Sequence, residues 1–156
     1  MEVHIRQEKP EDHEDVFSLI EAAFLNESNS DHQEQFLVDR IRKSYAFIPE
    51  LSLVAEVDNK LVGYVLLSEI TIQNDKNKFP ALALAPVAVL PEFQSKGIGK
   101  DFLKYIFKYY KYKNKYIVCE TDNFRSNKFY KKKLNFKSIG KKVRFPRLMD
   151  VLAKKL

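Results

Sequence analysis

Ala85-Pro86-Val87-Ala88-Val89-Leu90-Pro91-Glu92-Phe93-Gln94-Ser95-Lys96-Gly97-Ile98-Gly99-Lys100 carries an apolar segment straight into a glycine loop. Beyond the loop, Ile98, Phe102, Ile106 and Tyr110 recur every four residues, flanked by Leu103, Tyr105 and Tyr109, while Lys100, Lys104, Lys108 and Lys111 take the other faces. That spacing predicts an amphipathic helix opening at Ile98. The first turn of a helix leaves backbone N–H groups without intrahelical acceptors, and glycine at 97 and 99 removes side chains that would keep a ligand oxygen at a distance. The stretch therefore reads as strand, anion cradle and helix, with a phosphate or pyrophosphate as the guest.

The chain around it has 156 residues, which is most simply one domain, 1–156. It is 45% hydrophobic and 31% charged, with no apolar run near the ~18 residues of a membrane span. The acidic start Met1-Glu2-Val3-His4 is unlike a signal peptide, so a soluble, cytoplasmic protein is expected. Cys119 is the single cysteine, and His4, His13 and His32 stand apart from any Cys or His at ligand spacing; neither a disulfide framework nor a metal site is expected. Charge divides along the chain. Residues 1–75 hold 16 Asp/Glu and 6 Lys/Arg, and residues 76–156 hold 5 and 21. A basic second half suits a small polyanionic cofactor as well as nucleic acid, and an acidic first half is a poor companion for the latter.

In chain order, Val3–Arg6 alternates as a short strand, and Pro10 opens a helix with Val16, Leu19, Ile20, Ala23 and Phe24 at helical spacing. Phe36, Leu37, Arg40 and Ile41 suggest a second helix ending before Pro49. Residues 51–57 and 60–72 are β-rich runs joined by Asp58-Asn59, the pattern of an antiparallel hairpin. Phe79 to Leu90 is nearly all apolar, as in a strand buried on both faces, with Pro86 arguing for a bulge or a break in the ladder. A strand at 115–121, a short helix at 123–133 and two closing strands at 136–143 and 148–156 complete the reading. Asn135 stands where a residue after a helix often turns left-handed.

A lone Gly-x-Gly is weak evidence. A dinucleotide fingerprint would need a glycine at Phe102, and a P-loop needs four residues between its glycines where only Ile98 lies. What remains is Val89, Pro91, Gln94, Gly97 and Gly99 in the pattern Val-x-Pro-x-x-Arg/Gln-x-x-Gly-x-Gly/Ala. On that pattern the sequence resembles the GNAT superfamily of N-acetyltransferases. Ile5-Arg6 with Pro10-Glu11-Asp12 resembles the family's first strand and helix, Leu61 to Val65 its third strand, and Asn123-x-x-Ser126-x-x-Phe129-Tyr130 its later Asn-x-x-Ala-x-x-Leu/Phe-Tyr segment. Phe136 follows Tyr130 by six residues where five is more usual in the family, and Asn135 replaces the usual glycine.

The resemblance implies an α/β fold, a mixed and mostly antiparallel sheet of six to seven strands with about four helices. It implies acetyl-CoA as acetyl donor, with no metal. Val87, Ala88 and Val89 would offer backbone groups to the pantetheine arm, and Gln94, Ser95, Lys96, Gly97, Ile98, Gly99 and Lys100 would wrap the pyrophosphate. Asn123, with Ser126 and Phe129 of the same segment, falls on the cofactor side. Tyr130 matches the tyrosine that protonates the departing thiolate, a role open to a phenol within reach of the sulfur. An N–H at Val89 suits the oxyanion formed when an amine attacks the thioester.

Residues 81–90 contain no titratable side chain, so the base is sought elsewhere: Glu120 first, then Glu69 or Asp122, or a water chain. Cys119 reads as strand core. The expected activity is acetyl transfer to a primary amine by direct attack in a ternary complex. The acceptor is cationic in one reading: a small amine, polyamine, aminoglycoside or peptide. A homodimer is a further partner expectation, and membrane or nucleic-acid partners are not expected. A non-catalytic acyl-CoA-binding or sensing module is the alternative.

Overall fold

A computed structural model describes residues 1–73, 77–109, 116–121, 128–133, 135–144 and 147–155. Its strands are β1 (His4–Gln7), β2 (Phe47–Val57), β3 (Lys60–Gln73), β4 (Lys78–Val89), β5 (Tyr116–Thr121), β6 (Lys137–Arg144) and β7 (Arg147–Lys155). Three α-helices, α1 (His13–Phe24), α2 (Glu34–Arg42) and α3 (Ile98–Tyr109), and a π-helical turn at Phe129–Lys133 accompany them among the described residues. The hydrogen-bonded order is β1-β2-β3-β4-β5-β7-β6. Of the described pairings only β4 with β5 is parallel. The mixed, mostly antiparallel α/β architecture is the one expected.

Two compact units make up the chain: Met1–Ser68 with Ala85–Tyr110, and Glu69–Leu84 with Lys111–Leu156. In the first, β2 and β3 are joined by Asp58 and Asn59 at φ +49° and +63°. Two successive left-handed residues define the tight turn whose twist matches a hairpin, and Asp and Asn tolerate that region. Successive residues of β3 face opposite ways. Tyr64 packs with Val16, Leu19 and Ile20 of α1 and Val38 of α2, whereas a Cβ on Gly63 would stand 3.1 Å from both Ile98 and Phe102 of α3. Helices thus cover both faces of this strand, which is why Val62 to Ser68 is buried without alternation. Burying an Ile or Phe of this kind is worth about 1.5–3 kcal/mol, and Ile98, Phe102, Leu103 and Ile106 of α3 are all buried.

Two sequence expectations shift in this unit. The inward face of α2 is set by Gln35 and Val38, while Phe36 lies 43% exposed. β2 starts at Phe47 rather than Leu51 and takes in Pro49; the register with β3 slips between Phe47 and Ser52, where a residue without an N–H costs no ladder bond. β4 continues as a strand through Pro86.

In the second unit the parallel register pairs Ala81, Leu82 and Ala83 with Tyr116, Ile117 and Val118. β7 pairs with the full length of β5, from Tyr116↔Lys155 to Thr121↔Asp150, and with β6 on its other edge. Ala81 and Val118 form a small core with Ile70 and Ile72. Asn135 takes φ +57°, the left-handed conformation expected at that position.

Candidate functional site

The end of β4 and the start of α3 are joined by a loop of tight turns. Pro91 opens a single 3-10 turn at Pro91–Phe93 that the amides of Phe93 and Gln94 close on Leu90 O (2.8 Å) and Pro91 O (3.2 Å). Ser95 and Gly97 then take positive φ, +62° and +96°. For Gly97 the conformation is one L side chains rarely adopt, and a Cβ there would meet only Asp101 Oδ2, at 3.9 Å. The glycine therefore serves the turn, and it leaves the space before the helix open.

Gly97 O accepts from the amides of Lys100 (2.9 Å) and Asp101 (3.0 Å), which closes the first turn of α3. Helix geometry leaves the amides of Ile98 and Gly99 without an intrahelical acceptor, at the positive end of a helix of 12 residues. Lys96 and Lys100 are exposed beside them. Lys96 Nζ lies 4.8 Å from the Phe93 ring centroid, which holds its charge over the loop. Open backbone amides and two exposed ammonium groups give this loop the donors and the positive field that an anion takes up.

The side chains expected in the cradle divide by burial. Gln94, Ser95, Lys96, Gly97 and Lys100 are exposed, Val87, Val89 and Gly99 are half-buried, and Ala88 and Ile98 are 1% exposed. Ile98 thus belongs to the core by its side chain and offers the cradle only its backbone. Gln94 Nε2 donates to Val89 O at 3.1 Å, a contact that sequence spacing did not announce.

In the second unit Tyr130 is buried within the π-helical turn, its ring 5.4 Å from Phe136, and Phe136 N donates to Tyr130 O at 3.0 Å. A π turn accommodates one residue more than an α turn, and this is how the longer Tyr130-to-Phe136 spacing is absorbed. Burial, and secondarily the neighbouring Cys119, push the Tyr130 phenol above its ordinary value, so it stays protonated. Cys119 is buried in β5, in keeping with its reading as core. Glu120 lies on β5 opposite Val151. Phe129 begins the π turn; Asn123, Ser126 and Asp122 lie outside the described residues.

Sequence reading missed a second polar assembly in the first unit. Glu8, buried at the end of β1, accepts from Arg42 Nη2 and from Ser52 Oγ (2.6 Å), and Ser52 Oγ lies 2.7 Å from Tyr64 OH. Burial, then Glu8, raise the Tyr64 phenol. Burial opposes the Arg42 charge, but the bond to Glu8 prevails and its pKa is raised. Nearby, Arg6 grips Asp12 with two bonds (2.7 and 2.9 Å) and Glu56 with two more (2.9 and 2.5 Å). These bonds raise Arg6 and lower both carboxylates. An open depression of about 640 Å³ beside α1 and α2 is lined by His13, Glu14, Phe17, Asp39, Arg42 and Lys43. It mixes both signs of charge, unlike the cradle. Among the described residues no group of three His, Cys, Asp or Glu is placed to hold a metal, and no helix is long and apolar enough to cross a membrane.

Comparison with known proteins bears on the family of the chain. A family model described as Acetyltransferase (GNAT) family matches residues 14–136. A curated relative, the uncharacterized N-acetyltransferase YjhQ of Escherichia coli (strain K12), is 34% identical over 72 residues, 46% of this chain. The match spans 40% of that relative's length. A GNAT family acetyltransferase from Brucella melitensis, solved in complex with acetyl-CoA, is 27% identical with a TM-score of 0.75 over 99% of this chain and 91% of its own. Arabidopsis thaliana Naa50, solved with a bisubstrate analogue, shares the fold at 17% identity and a TM-score of 0.71, with 100% of both chains covered.

Proposed function

The chain belongs to the acetyltransferase (GNAT) family, and on that premise we propose that it transfers acetyl from acetyl-CoA to a primary amine by direct attack in a ternary complex. The observation that carries this reading is the cradle: Gly97 at φ +96°, the open first turn of α3 and the exposed Lys96 and Lys100 make a receptor for a pyrophosphate. It fits the cofactor without calling on a metal, because backbone amides and two ammonium groups supply the donors and the field.

In the proposed reaction the amine nitrogen attacks the thioester carbonyl carbon, and the Val89 N–H donates to the oxyanion that forms. Collapse breaks the C–S bond. The departing sulfur receives a proton from Tyr130, whose buried, raised phenol is a hydrogen-bond donor over the whole neutral range. The proton lost by the amine goes to Glu120 or to water. Exposed Glu14, Asp15 and Glu21 on α1 give the first unit an acidic surface, which favours a cationic acceptor.

The test is release of CoA thiol from acetyl-CoA across a panel of amines at several ionic strengths. Turnover with a cationic amine that weakens as salt rises is the expected result. CoA binding with no acetyl transfer to any amine would favour a sensing module, and burst kinetics with a stable acetyl-enzyme would rule out direct attack.

A further inference from the structure

The peptide unit joining Val89 to Leu90 is held from both edges. Its carbonyl accepts from Gln94 Nε2 at 3.1 Å, and its N–H donates to Val62 O of β3 at 3.0 Å. A peptide unit is planar, so two bonds on opposite edges fix its orientation, and with it the torsion that relates it to the amide of Val89. The chain reaches this arrangement by local means. Gln94 is extended, at φ −65° and ψ 157°, and left-handed Ser95 follows it at φ +62°; the side chain meanwhile folds back to the end of β4.

We propose that Gln94 is a positioning residue: its side chain acts through the Val89–Leu90 peptide to aim the Val89 N–H, and so links the cofactor loop to the oxyanion donor. This role rests on the acetyl-transfer reading, and it differs from the expectation that Gln94 serves as a pyrophosphate ligand. Glutamine suits this role because its side chain is long enough to fold back and carries N–H donors, as arginine's does, whereas Glu and Met carry none.

Three variants separate the roles. Gln94→Met keeps length and removes the donor, Gln94→Glu sets an acceptor against a carbonyl, and Gln94→Arg returns a donor. The measurements are CoA affinity by calorimetry, kcat for thiol release from acetyl-CoA, and hydrogen exchange of the Leu90 amide. For Gln94→Met the expected result is a roughly tenfold fall in kcat, about the worth of one hydrogen bond, with CoA affinity within about threefold of wild type.

Leu90 exchange should quicken in the Met and Glu variants and return, with kcat, in the Arg variant. Weakened CoA binding at unchanged kcat would place the side chain on the pyrophosphate and overturn the role. So would unchanged Leu90 exchange. A wild type that does not bind acetyl-CoA overturns the acetyl-transfer reading along with it, whereas binding with a rate indifferent to Gln94 overturns this role alone.

Discussion

The cradle at the head of α3 and the ionic cluster around Arg42 lie in the same unit and are built on opposite plans. The cradle is assembled almost wholly from neighbours: Gln94 reaches Val89, Phe93 reaches Lys96, and Gly97 O serves Lys100 and Asp101. The cluster joins Glu8 to Arg42 and to Ser52, across 34 and 44 residues. One is exposed, where a charged ligand can arrive; in the other the Glu8 carboxylate is buried, where a charge survives only with a partner. Exposed lysines beside open amides suit binding, and a largely buried carboxylate–guanidinium pair suits assembly. Removing a part should therefore damage ligand affinity in the first case and stability in the second.

The largest effect is expected at Arg42. Arg42→Ala leaves the Glu8 carboxylate buried without its cation, which costs about 3–5 kcal/mol of stability; a denaturant midpoint that barely moves would show that water or another group reaches Glu8. Next is Gly97→Glu, which forces a side chain into φ +96° and sets a negative charge before the helix terminus. CoA affinity should fall roughly a hundredfold, near 2.7 kcal/mol, with thermal stability reduced far less than by Arg42→Ala. Equal losses in both assays from both variants would erase the distinction between the two regions.

Tyr130→Phe should lower turnover by about tenfold to a hundredfold while CoA affinity holds. Because the phenol's pKa is raised, its ionisation removes no activity as pH rises toward about 10. A basic limb near pH 8 that disappears in the Phe variant would contradict that. The smallest effect concerns acid. Asp12 and Glu56 have depressed values in the folded state, chiefly through their bonds to Arg6. Their contribution is complete above the ordinary carboxylate range, about pH 4, and is lost as pH falls through their lower folded values. Arg6→Ala should flatten that acid loss in a pH series of thermal melts.

The same contrast explains what the sequence made legible. Helical periodicity from Ile98, the Asp58-Asn59 turn, left-handed Asn135 and the glycine at 97 are local requirements, each met by residues a few positions apart. The family pattern spans Val89 to Gly99 and was readable for that reason. The Glu8–Ser52–Tyr64–Arg42 assembly left no such trace, since each member looks ordinary in its own segment and acquires a partner only when β1, β2, β3 and α2 come together. The inward face of α2 needed the fold as well: Gln35, polar by type, is 5% exposed with its amide donating to His32 O at 3.1 Å, while apolar Phe36 is 43% exposed, its ring 5.3 Å from that of Phe17. The motif singles out Tyr130, but the π turn that absorbs its unusual distance from Phe136 needed the fold.

Amide chemical-shift mapping on addition of CoA puts the two regions to the same question in one experiment. Shifts concentrated at Gly97, Ile98, Gly99 and Lys100, with little change at His13, Phe17 and Lys43 beside α1 and α2, are the expected result. Shifts centred on that depression, with the amides of 97–100 unmoved at saturating CoA, would contradict the assignment of the cradle as the cofactor site.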